Sequence, residues 1–156
     1  MTSRTPMLTS AVIAVVLLGA CSTAGADQTP SGTGGTIEMA ITDVCAEASD
    51  TGCVVVNGTS VVAPAAFEQA GVTSARVADG AQNAVEVTFD HDGAEILHAL
   101  TEEAAGAGEA VRLVIRIGGE LQAAVVVMEA LVGDQAQIGL APDESAQDIV
   151  DLIQGG

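Results

Sequence analysis

The sequence predicts a two-layer α+β domain, an antiparallel or mixed sheet of about four to five strands with two helices on one face. Two glycine turns flanked by apolar runs and two one-sided helical patterns carry that expectation. In "CVVVNGTSVVAP", Asn57-Gly58 lies between β-branched runs, the strongest short-range cue for a type I′ hairpin. "VEVTF" (Val85 to Phe89) alternates apolar and polar residues, as a half-buried strand does. "VRLVIRI" and "LQAAVVVM" flank Gly118-Gly119 as a second hairpin, with Val111, Leu113, Ile115 and Ile117 on one side and Arg112 and Arg116 on the other. "AQIGL" supplies a further short strand after Gly133-Asp134.

The helices read as clearly. In "DGAEILHALTEEAAG", Gly93, Ile96, Leu97, Leu100 and Ala104 form one stripe, and Gly106 or Gly108 ends it. Asp92 stands where an N-cap belongs, with Glu95 completing a capping-box pattern and Asp90 closing the preceding strand. In "APDESAQDIVDLIQGG", Pro142 suits a first turn and Asp143 and Glu144 complement the dipole. Ala146, Ile149, Val150 and Ile153 make the apolar face, and Gly155 ends the helix.

The N-terminal segment reads as a targeting signal. Arg4 precedes an apolar run from Met7 to Ala20 that is too short to span a bilayer stably, so 1–20 is expected to be a signal peptide. Leu18-Gly19-Ala20-Cys21 resembles the lipobox of bacterial lipoproteins, in which the cysteine is lipidated and becomes the mature N-terminus; the alternative is an ordinary secretory peptide cut after "GACSTAGA". The resemblance implies lipid attachment at Cys21 and a cell-membrane location on the extracytoplasmic face, where two or more acyl chains anchor stably. The Gly/Ser/Thr/Pro-rich stretch through Thr36 reads as a flexible tether, making 21–36 the lipidated cysteine and tether and 37–156 a single domain. Cys45 and Cys53 remain as an even pair in an oxidising space and are expected to form a disulfide. A metal or redox pair fits poorly, because neither C-x-x-C spacing nor a nearby histidine is present.

Composition removes several classes of partner. The chain holds 21 acidic against 4 basic residues, and loss of Arg4 with the signal makes it more negative still. Nucleic acid and anionic headgroups are repelled by such a surface. Lysine, tryptophan and tyrosine are absent, so stacking platforms for bases or sugars are not expected. The basic groups left are Arg76, Arg112 and Arg116, and Phe67 and Phe89 are the aromatic residues.

The densest group of chemically capable side chains is in "VEVTFDHDGAEILHALTEE". Glu95, His98 and Glu102, three and four residues apart, share a helix face opposite the apolar stripe. Three exposed ligands on one helix read as a solvated face, since carboxylate metal sites recruit facing helices inside a core. No G-x-S-x-G, phosphate-binding glycine loop or unpaired thiol beside a base occurs, so no enzyme, cofactor or metal is expected.

Three runs resemble one family in order and spacing. "GVTSARVADGAQNAVEVTFDHDGAEILHALTEE", "VRLVIRIGGELQAAVVV" and "GDQAQIGLAPDESAQDIVDLIQGG" are similar to the periplasmic head subdomain of SecD, an ancillary component of the bacterial protein-export translocase. They cover Gly71 to Gly156, with Ala75, Val85, Phe89, Asp90, Gly93, Ala94, Leu100 and Thr101 in register. Ala124 stands where the family has proline, and Ile117 or Gly118 where it has aspartate. The transmembrane helices that do SecD's proton-driven work have no counterpart in this sequence. Together with the lipobox, the resemblance implies a lipid-anchored extracytoplasmic interaction module, with contact to exported polypeptide or export machinery implied by the SecD-like run. The alternative is a small-solute or metal-binding lipoprotein: a pocket lined by Arg76, Arg112 or Arg116 would favour an anionic ligand, an apolar groove or sheet edge a peptide.

Overall fold

A computed structural model describes residues 34–47, 50–80 and 83–155. The expected signal peptide and the lipid-attachment residue Cys21 lie outside the described residues. Strands β1 (Thr36–Asp43), β4 (Glu68–Val77), β5 (Ala84–Phe89), β6 (Val111–Ile117), β7 (Glu120–Val125) and β8 (Gln135–Gly139) form one antiparallel sheet in the order β7-β6-β1-β4-β5-β8. Strands β2 (Cys53–Val56) and β3 (Thr59–Val62) pair separately as a hairpin. Helices α1 (His91–Ala107) and α2 (Ala146–Gly155) both pack on one face of the large sheet.

The α+β class and the one-sided helices match expectation; the strand count does not. Six strands replace the expected four to five, because β1 and β4 form the centre of the sheet. The reason β4 is hard to read is a bulge between Val72 and Ser74. Before it Ala70 and Val72 face the core, and after it Ala75 does, so the two-residue alternation changes phase within the strand. The first half of β4 pairs with β1 and the second with β5, which carries the sheet around the helices. The fold also takes in Gly34 to Thr36, which the sequence assigns to the tether: Gly34 is buried, and the Val72 amide donates to the Gly35 carbonyl at 3.0 Å.

Both glycine turns form. Asn57 and Gly58 have φ values of 47° and 80°, the left-handed pair that a type I′ turn requires. The second apolar run is shorter than expected, since β7 ends at Val125 and Val126 to Met128 leave the sheet. A bulge opposite Ile115 and Arg116 leaves Gln122 as the extra residue of β7, and its carbonyl accepts from the Asn57 side chain at 2.7 Å. That bond helps dock the hairpin on the outer face, where Val56, Val61 and Phe67 cover Val114. The disulfide between Cys45 and Cys53, with Cα atoms 6.3 Å apart, ties the end of β1 to the hairpin. Closing so short a loop contributes roughly 2–3 kcal/mol on the chain-entropy model.

The main core is aliphatic, built from Ile37, Met39, Val85, Val87, Ile117 and their neighbours against Leu97, Leu100, Ile149 and Ile153. The α1 stripe falls as expected except that Ile96 is half-buried and Thr101 fully buried. The cap differs. Asp90, not Asp92, is the N-cap, its carboxylate accepting from the Gly93 amide at 2.7 Å while Asp92 lies within the first turn. Likewise α2 starts at Ala146, where Ser145 Oγ accepts from the Asp148 amide, and Pro142 to Glu144 form the turn ahead of it.

Asp90 has a second neighbour. Its amide donates to the Gly71 carbonyl at 2.9 Å, and a Cβ on Gly71 would collide with its carboxylate. A Cβ on Gly93 would in turn strike the Gly71 carbonyl. Asp90→Ala is expected to cost about 0.5–2 kcal/mol through the lost cap, and Asp92→Ala less than about 0.5 kcal/mol as a surface change. Gly71→Ala should cost about 1–3 kcal/mol by overpacking; denaturant titration of the three variants measures each.

On the outer face Glu38 of β1 stands opposite Arg116 of β6 and accepts two hydrogen bonds from it, at 2.7 and 2.6 Å. The guanidinium lies 3.7 Å from the centre of the Phe67 ring, which shields the pair from water. The hydrogen bond from Arg116 holds the Glu38 carboxyl below its ordinary value of 4.5. A depressed folded pKa means that the pair's contribution is complete above the unfolded value, near 4.5, and is lost as pH falls through the folded one. Glu38→Gln should therefore lower the melting temperature at neutral pH, with the deficit shrinking in acid; melting curves across that range test the sign.

Candidate functional site

Beyond β7 the chain runs from Val126 to Asp134 as a strap across α1 before entering β8. Two side chains on successive turns of α1 hold it. Thr101 Oγ1 donates to the Leu97 carbonyl at 2.7 Å and accepts from the Leu131 amide at 2.9 Å. His98 Nδ1 lies 2.9 Å from the Leu131 carbonyl. Both backbone polar groups of Leu131 are thus satisfied by the helix. His98, expected on a solvated face, is a fastening point.

The strap divides the surface over α1 into two depressions. On one side Leu113, Val125, Met128 and Leu131 help form an apolar groove of about 250 Å³ with Thr101 in its wall. The exposed apolar residues continue beyond it: Met128 is 84% and Val132 89% exposed, with Val126 and Leu131 also open to solvent. On the other side Asp90, His91, Glu95 and His98 of α1 meet Gly133 and Asp134 of the strap around an open cleft of about 530 Å³.

The structure does not gather the trio Glu95, His98 and Glu102 that shares a helix face. Instead, ligand atoms of His91, Asp92 and Glu95 lie within 4.8 Å of one another, all three residues exposed, with His91 Nε2 at 3.5 Å from Glu95 Oε1. Full exposure and the positive end of the helix dipole both weaken that turn as a cation site. The arginines do not converge either. Arg76 is paired with Glu86 at 2.6 Å and Asp79 at 3.1 Å, and these hydrogen bonds, Glu86 first, hold its pKa above the ordinary value. Arg116 is raised in the same way by Glu38, while Arg112 donates to the carbonyls of Glu109 and Val111.

The model of one family, described as the SecDF P1 head subdomain, matches residues 41–156. The chain belongs to the SecDF P1 head subdomain family. No curated protein matches the chain, and no solved structure does. Membership links this head domain to the protein-export machinery. The match begins well before Gly71, so the hairpin and the disulfide-bonded loop lie within it. Three residues of the resembling runs support the site: Asp90 and Gly93 seat α1 against β4, and Thr101 fastens the strap. Ala124, in the place of a family proline, packs on the outer cluster around Val114, and Gly118 sits at φ 60° in the turn after β6.

What the sequence pattern missed is the strap itself. Its signal was the apolar run "AAVVVM" continuing past the length that a paired strand needs, followed by Leu131-Val132 with no periodicity of either kind. No helix among the described residues is long and apolar enough to cross a membrane. Thr101→Val should leave the Leu131 amide without its acceptor, at a cost of about 1–3 kcal/mol. Hydrogen exchange at Leu131 is then expected to accelerate while the β5 amides keep their protection.

Proposed function

We propose that this head domain is a non-enzymatic interaction module, held to the extracytoplasmic face of the cell membrane by lipid on Cys21, that contacts exported polypeptide through the apolar groove and strap. The observation that carries the reading is the set of exposed apolar side chains Val125, Val126, Met128, Leu131 and Val132, interrupted by Glu129 and mounted on a framework that hydrogen-bonds the strap at Leu131. Exposed apolar surface next to a groove of side-chain size suits the capture of an unfolded segment. Membership of an export family and a disulfide, which persists in oxidising compartments, agree with a location outside the cytoplasm. The small-solute alternative has less support, because the three arginines are each engaged by separate partners.

The test is crosslinking in intact cells. With a photo-crosslinker at Met128 of the full chain, translocating polypeptides should be captured, and the same probe at Val55 on the hairpin should capture few. Cys21→Ser should abolish acyl labelling and release the protein from membranes. Equal capture at both positions, or none at Met128, would refute the groove as the contact surface.

A further inference from the structure

The groove and the acidic cleft lie at successive positions along the strap. Leu131 closes the groove, and the strap that carries it continues directly into Gly133 and Asp134 at the rim of the cleft. Along α1, Thr101 in the groove is followed toward the N-terminus by Glu95 and His91 in the cleft. Six to ten helical residues correspond to about 9–15 Å at about 1.5 Å per residue. An extended chain covers that distance in about three to five residues at about 3.3 Å each.

We propose that the two depressions read a single extended segment: an apolar side chain seats in the groove, and a lysine or arginine about three to five residues away enters the cleft beside Glu95 and Asp134. This rests on the polypeptide-contact reading and specifies the chemistry of the segment. Charge complementarity supports the second contact. The cleft brings together Asp90, Glu95 and Asp134; Asp90 is occupied in capping the helix and Glu95 stands 3.5 Å from His91 Nε2, while Asp134 faces the cleft from the strap. No arginine lines either depression. The carboxylates of Asp90, Glu95 and Asp134 outweigh the roughly half positive charge at the N-terminus of α1, the chain has 21 acidic residues against 4 basic ones, and Arg76 and Arg116 are already neutralised by ion pairs. Such a field attracts cationic segments and repels acidic ones of equal apolarity.

Three fluorescent peptides distinguish the possibilities, each with the same leucine pair and, four residues on, a lysine, glutamine or glutamate pair. Each is titrated by anisotropy against the full chain in mild detergent, at low and at high salt. The lysine peptide should bind about tenfold more tightly than the glutamate peptide at low salt, as a few exposed ion pairs allow, and the gap should close at high salt. Glu95→Gln combined with Asp134→Asn should cut the preference severalfold, more than the same two-charge loss at Glu102 and Glu103 outside both depressions, and leave the glutamine peptide's affinity unchanged. Met128→Ser, at an exposed position, should weaken all three. Equal affinity for the three peptides, or a lysine preference that falls no further with the paired cleft substitutions than with the pair at Glu102 and Glu103, overturns the inference while polypeptide contact stands. Absence of binding by any peptide overturns the contact reading and this inference with it.

Discussion

The position of α1 is set by how closely its first turn approaches β4. Gly71 presents a bare backbone surface there, Asp90 fills it with the carboxylate that caps the helix, and Gly93 lies against the Gly71 carbonyl. Side chains at either glycine would push the helix off the sheet. With the helix seated, Leu97, Leu100 and Ala104 reach the core. Thr101 and His98 then come up on the side where the chain returns from β7. The strap, the groove and the cleft are all downstream of that one contact.

The outer face answers a different problem. A six-stranded sheet with helices on one side leaves its other side to be covered, and the chain has few large side chains for the purpose. The disulfide-tied hairpin covers part of that face over Val114. Beside it the cross-strand pair of Glu38 and Arg116 sits under Phe67. Partial shielding strengthens the pair beyond what an open surface pair contributes. It also takes one of the few cations out of the surface field, which leaves the rest of the molecule almost uniformly acidic.

That distribution bears on function. The family links the chain to protein export, and no helix among the described residues is long and apolar enough to cross a membrane. An apolar strap in an acidic field is a combination suited to segments that are apolar and cationic together, and the two bonds from α1 to Leu131 hold the strap in place between the depressions.

Local patterns were enough for much of the architecture. Asn57-Gly58 and Gly118-Gly119 set two hairpins because only a left-handed pair of residues matches the twist of the flanking strands. The one-sided stripes of α1 and α2 put both helices on one face, and the even pair Cys45 and Cys53 stood out as the expected disulfide. The same patterns missed β4, whose bulge moves the inward phase from Val72 to Ala75. They assigned the cap to Asp92 because spacing alone cannot separate two aspartates two residues apart; the contact of Asp90 with Gly71 does. The candidate site lay furthest from view. Thr101 and Leu131 are 30 residues apart, and neither carries a local signal of partnership. The sequence by itself determined the turns, the helix faces, the charge and the family; only the tertiary structure decided where the strap crosses α1, because that depends on packing between segments that have no periodicity in common.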